Sequence, residues 1–177
     1  MSRYLIPIII LLISLNLVIF DKDFYQKEMP VYNETEVTNL QHYFLFQDLN
    51  TDNYSEKEIS HLKDVRNLIH LSWLIILILI IILIFVKKEF FYGGLFSLIF
   101  ILLLSLTLLS FQDSFVTFHE LLFTNDNWLL PENSTLIQLF PENFFHECFK
   151  QVIFIDIIFS LLSMVIGYKQ KHILHQL

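Results

Sequence analysis

Cysteine occurs once in this 177-residue chain, at Cys148, so an internal disulfide is excluded. Glycine occurs three times, proline four times and alanine never. That scarcity leaves no glycine-rich loop to cradle a phosphate, and the chain carries no dinucleotide fingerprint, internal repeat or basic nucleic-acid patch. Positive charge is also thin, 11 Lys and Arg against 18 Asp and Glu, a formal net charge of -7. Nucleic acid is therefore not an expected partner.

Apolar and aromatic side chains dominate instead: 55% of the residues are hydrophobic, 16% are aromatic, and the mean hydropathy is +0.58. Such values lie outside the soluble range and predict an all-α integral membrane protein forming a single domain, 1–177. Four segments approach the roughly 20 apolar residues that a bilayer requires: Tyr4 to Phe20, Leu68 to Val86, Tyr92 to Phe111 and Phe149 to Tyr168. The first has Arg3 before an apolar core, as a secretory signal does. It lacks a small-residue cleavage site and no cysteine follows it, so it reads as a permanent helix.

Lys and Arg in short flanks resist translocation, whereas Asp and Glu matter little. Arg3, the Lys87 and Lys88 turn, and Lys169 and Lys171 then lie in the cytoplasm, giving an N-in, C-in arrangement. The long connections 21–67 and 112–148 fall outside and are expected to build a structured extracytoplasmic cap. The first contains five basic residues but about twice as many carboxylates. Three sequons, at Asn33, Asn53 and Asn133, lie in these connections and fit the chance yield of an Asn-rich chain.

The second connection is the most unusual part. From Phe115 to Phe145 it is aromatic and acidic without one Lys or Arg, and it opens with FVTFHELLF, which places His119 in apolar surroundings. Turns at Pro131 to Ser134 and at Pro141 break it into short interfacial elements, and irregular backbone enters a bilayer only where protein or a water-filled cavity satisfies its amides. His119 is either a packed histidine at headgroup level or part of a site. In the first connection, EKEISHLKDVRNLIHL from Glu56 to Leu71 has no helix breaker. A helical period puts Glu58, His61, Asp64 and Val65 on one face, so that the imidazole lies between two carboxylates. This stretch is either a solvated lead-in to the second span or a place where carboxylates fix the state of His61.

Zinc is disfavoured. Neither His119-Glu120 nor His146-Glu147 is followed by the histidine, four residues after the first, that a helical zinc motif needs, and Cys148 stands alone, so no metal or other cofactor is expected. A thiol nucleophile at Cys148 is weakly supported, having no clear base beside it. His42, His70, His172 and His175 sit in no pattern. Asp156, inside the fourth span, is either a packing hydrogen-bond group or part of a polar cavity.

The run ISHLKDVRNL, with FVTFHELLFTNDNWLLPENSTLIQLFPENFF between the third and fourth spans, resembles the lipoprotein intramolecular transacylases of Gram-positive bacteria. The four-helix plan agrees. The resemblance implies a bacterial cell-membrane enzyme, active at the extracytoplasmic face, whose partner is a diacylglyceryl-modified lipoprotein held in membrane lipid. It would move the sn-2 acyl chain onto the α-amino group of the same N-terminal cysteine. The resemblance places the catalytic histidines at His61 and His119. Glu58 and Asp64 would then support His61, and Glu120 would orient His119 or meet the substrate amine. Phe118, Trp128 and Arg66 are the expected substrate-binding residues. Acyl transfer within one molecule from ester to amine needs only a base and good positioning. An acyl hydrolase using the same histidines, or a non-enzymatic tetraspan partner or sensor, are the competing readings; the sequence leaves the oligomeric state open.

Overall fold

The computed structural model describes residues 2–30 and 33–174, with side chains described as far as residue 171, so the side chains of His172 and His175 lie outside the described residues. Among the described residues there is no strand. The described residues form eight α-helices, in order α1 Ser2–Ile19, α2 Lys22–Glu28, α3 Glu34–Phe44, α4 Glu56–Phe85, α5 Phe90–Leu104, α6 Phe111–Leu122, α7 Thr135–Leu139 and α8 Glu142–Leu174. A 3-10 turn, Ser105–Ser110, joins α5 to α6.

Four helical stretches are long and apolar enough to cross a membrane: Ser2–Ile19, Glu56–Phe85, Phe90–Leu122 and Glu142–Lys171. They identify a multi-pass membrane protein. Three exceed the expected spans because helix continues beyond the apolar run. At a rise of about 1.5 Å per residue, the 30 residues of α4 extend roughly 45 Å, well beyond the ~30 Å of hydrocarbon. Every charged residue of α4 lies at or before Arg66, so the helix enters its apolar run only after a polar first half. In the third stretch Asp113 and Glu120 likewise fall at its far end, in α6.

The chain divides into two compact units. The first comprises residues 1–17, 72–106 and 150–177. Its helices approach closely where small residues allow it, as lipid-embedded helices do. A Cβ on Gly94 would strike the Ser160 carbonyl, and one on Gly167 the Phe91 backbone. Asp156 is buried and accepts hydrogen bonds from Ser97 (3.1 Å) and Ser160 (3.2 Å), so of the two readings open for this carboxyl, packing fits. Asn16 bonds Ser72 (3.0 Å) and accepts from the Trp73 indole (2.6 Å).

The second unit comprises residues 18–71 and 107–149. Its short helices start where side chains supply the missing acceptors for first-turn amides: Asp21 for α2, Asn33 for α3 and Ser134 for α7. Val37, Leu40, Phe24, Leu136 and Phe144 are buried in its core. Phe24, Tyr25, Phe140 and Phe144 form an aromatic cluster with centroid separations of 5.2 to 6.3 Å. The residues of both long connections that belong to this unit are helical in part, and both histidines of interest lie in it.

Candidate active site

The first turn of α4 explains how His61 is positioned. Ser55 and Glu58 cap each other: the Glu58 carboxylate accepts from the Ser55 amide (2.8 Å) and hydroxyl (2.7 Å), and the Glu58 amide faces the Ser55 hydroxyl (3.4 Å). This is a capping box. The other Glu58 oxygen accepts from the buried Leu136 amide (2.8 Å), in the first turn of α7. Burial pushes the Glu58 carboxyl up, but the bonds from Leu136 and Ser55 outweigh it and hold it below the ordinary range. Glu58 therefore does not hold His61, as helical spacing suggested; it fastens α4 to the 123–136 connection.

Three further bonds repeat that fastening along α4. Lys57 reaches the Leu129 carbonyl (2.6 Å), Asn127 donates to Ser60 (2.9 Å), and Asn125 donates to Asp64 (2.9 Å). His61 sits among these anchors. The TNDN segment can meet them because Asn125 also accepts from the Asn127 amide (2.9 Å), which closes a tight local turn.

The His119 ring lies 6.1 Å from the His61 ring, centroid to centroid. Both are half-buried. Phe123 packs against both, 5.2 Å from His61 and 5.6 Å from His119. Phe115 (4.3 Å), Trp128 (5.1 Å) and Phe118 (5.7 Å) complete an aromatic surround for His119. Its Nδ1 lies 2.7 Å from the Phe115 carbonyl, one turn earlier in α6. A carbonyl only accepts, so Nδ1 carries the proton in the neutral ring and Nε2 is the basic nitrogen. That carbonyl plays the orienting part expected of Glu120, which is exposed and pairs with no described group.

Burial lowers the pKa of both histidines, and for His61 it is followed by the nearby His119, against a smaller opposing effect of Asp64, bringing that ring down to about 4. Both rings are neutral near pH 7. The His61 Nδ1 is buried with no hydrogen-bond partner. Such an atom is costly unless something engages it.

The other expected site residues are divided. Asp64 is within electrostatic reach of His61. Phe118, 55% exposed, and Trp128 flank His119. Arg66 turns elsewhere: its guanidinium stacks on Tyr43 of α3, 4.3 Å from the ring centroid. A helical period already separates Arg66 from His61 by more than a third of a turn. His146 packs edge-on against Phe111 (5.0 Å). Burial, with a smaller contribution from the Glu28 and Glu147 carboxylates, pushes the Cys148 thiol up and disfavours a thiolate. Phe115 and Phe123 lay inside the conspicuous FVTFHELLF run, but their roles needed the α6 geometry.

Residues 1–145 match the family model for the lipoprotein intramolecular transacylase Lit. The chain belongs to the Lit family. The match includes α1 to α7, and hence every residue of the histidine pair's surroundings named above. The solved structure of the membrane-integral Lit from Bacillus cereus superposes with a TM-score of 0.75 at 24% identity, covering 97% of this chain and 94% of that one. Two variants of that Lit, each with one histidine replaced, by arginine or by alanine, give TM-scores of 0.72 and 0.70 at the same identity. These likenesses establish the four-span helical fold. An uncharacterized protein from Aquifex aeolicus is 25% identical over 128 residues, 68% of this chain. The match spans 59% of that relative's length.

Proposed function

We propose that this chain is a lipoprotein intramolecular transacylase that uses His61 and His119 for acid–base catalysis at the extracytoplasmic membrane face. The observation that carries this reading is the meeting of two neutral imidazoles, from separate connections, in an aromatic setting with one tautomer fixed. Membership of the Lit family supplies the reaction class.

In this reading the substrate is a lipoprotein whose N-terminal cysteine bears a diacylglyceryl group. Nε2 of His119 accepts a proton from the α-ammonium, whose reference pKa is near 7.7 to 8.0. The amine nitrogen attacks the sn-2 ester carbonyl, and the carbonyl π electrons move to oxygen to give a tetrahedral oxyanion. That intermediate collapses: the nitrogen sheds its second proton, the bond from the acyl carbon to the glyceryl oxygen breaks, and the leaving alkoxide takes a proton through the pair, so that of the two protons the ammonium loses one ends on the alcohol and one leaves to water. One ester becomes one amide and one alcohol. Amine and ester belong to one molecule, so positioning replaces a covalent enzyme intermediate and no cofactor enters. His61, fastened by the α4 anchors, stabilises the oxyanion or relays the proton. Phe118 and Trp128 bind the acyl and glyceryl groups, which reach the site sideways from the lipid.

A hydrolase with the same histidines would release fatty acid, and mass spectrometry separates the two outcomes. A transacylase leaves the intact mass of the N-terminal lipopeptide unchanged and moves one acyl group from glyceryl to nitrogen on fragmentation. Loss of one acyl mass, with fatty acid recovered, would show a hydrolase and refute the reading.

A further inference from the structure

Beside the histidine pair lies a cavity of about 180 Å³. Its polar side is formed by Asp64, Asn67, Thr124 and Asn125, and its apolar side includes Leu68 and Phe123. Phe123 is the ring that touches both His61 and His119, so the cavity adjoins the pair through a shared wall. No Lys, Arg or His lines it.

Asp64 is half-buried, and one of its oxygens accepts from Asn125. Its other oxygen has no hydrogen-bond partner among the described residues, and the carboxylate forms no ion pair with Lys or Arg there. A carboxylate in such surroundings is stabilised by a cationic hydrogen-bond donor. The neutral polar lining, Asn67, Thr124 and the Asn125 side chain, offers acceptors to the same donor and to a following peptide group. Anions are disfavoured in this cavity, and an acyl chain would leave the amides and carboxylate unsatisfied.

We propose that this cavity is the subsite for the substrate's α-ammonium group and first peptide bond, with Asp64 as the charged anchor and Asn125 holding Asp64 in place. The proposal rests on the transacylase reading and assigns Asp64 a different task from supporting His61. From there the amine has only to pass the edge of Phe123 to come within reach of Nε2 of His119, while the diacylglyceryl group remains on the lipid side.

The test uses the purified full chain in detergent micelles with a synthetic diacylglyceryl-cysteinyl peptide. Asp64→Asn is expected to raise KM at least tenfold with kcat changed less than threefold, and Asp64→Glu to recover part of the loss. The dipeptide amide Cys-Ser-NH2 is expected to inhibit the wild-type chain, and its N-acetylated form to inhibit at least tenfold less; this arm requires no variant to fold. An active Asp64→Asn with unchanged KM, or with reduced kcat at unchanged KM, overturns the subsite, the latter result making Asp64 a positioning residue for His61. Equal inhibition by the two dipeptides overturns it too. A wild-type chain that transfers no acyl group overturns the transacylase reading itself, and the subsite with it.

Discussion

At the scale of single residues, the site depends on two half-buried imidazoles. His119 has its tautomer set by the Phe115 carbonyl at 2.7 Å, and His61 presents an unsatisfied Nδ1 beside it. Replacing either with alanine is expected to lower acyl migration by at least 100-fold, in line with the loss of a general acid–base group, while the protein still inserts into the membrane. Cys148→Ser should remain fully active; an inactive Cys148→Ser protein would revive the thiol route. The depressed pKa of His61 has a consequence for stability. Its folded value, about 4, lies below the ordinary 6.5, so between these values the unfolded chain holds a proton that the folded chain does not. The corresponding stability is fully present above pH 6.5 and is lost as pH falls toward 4. Thermal unfolding in detergent should therefore show a slope over that interval that His61→Asn reduces; an equal slope in the variant would contradict the assignment. From the sequence, residue type and the family resemblance singled out His61, His119, Asp64, Phe118 and Trp128; the structure brings these five near one another, and their roles belong to the proposal. Arg66 and Glu120 were misplaced, since side-chain direction and backbone acceptors decide their surroundings.

At the scale of elements, the capping box at the start of α4 has two tasks. Glu58 closes the helix N-terminus and also holds the Leu136 amide. Sequence spacing showed that Glu58 shares a face with His61, but a helix period says nothing about which partner a connection 78 residues away will offer. The continuous helix from Glu56 was legible, because no breaker interrupts it, and so were the breaks at Pro131 and Pro141 that flank α7. The α2 and α3 helices of the first connection had no comparable periodic signal, and their caps at Asp21 and Asn33 emerge only with the structure. Glu58→Ala would leave the buried Leu136 amide and the Ser55 amide without their acceptor, at a cost of about 2 kcal/mol. A lowered unfolding temperature, together with weaker activity, is the expected result; a variant as stable as wild type would show that the Glu58 bonds contribute nothing.

At the scale of the whole molecule, four apolar helical stretches make this a membrane protein, and the family match places it in the Lit family. The expected orientation follows from charge. In a Cys148→Ser background, Glu132→Cys should react with a membrane-impermeant maleimide in intact cells and Lys88→Cys should not. Reversed labelling would place the histidine pair on the cytoplasmic side and away from mature lipoproteins. The number of apolar helical stretches was legible because hydrocarbon depth fixes the length of an apolar run; where their helices end was not, because helix continues past the apolar run. The meeting of His61 with His119 was not, because it depends on the bond Lys57 donates to the connection after α6 and on those Ser60 and Asp64 accept from it. The central claim, that this pair drives an ester-to-amide shift within one lipoprotein, is tested most directly with purified protein and a synthetic diacylglyceryl-cysteinyl peptide. Fragmentation mass spectrometry should find an N-acyl cysteine and a glyceryl group short of one acyl chain, at unchanged total mass, with wild type but not with His61→Ala or His119→Ala. N-acylation at an undiminished rate in either variant would contradict the claim.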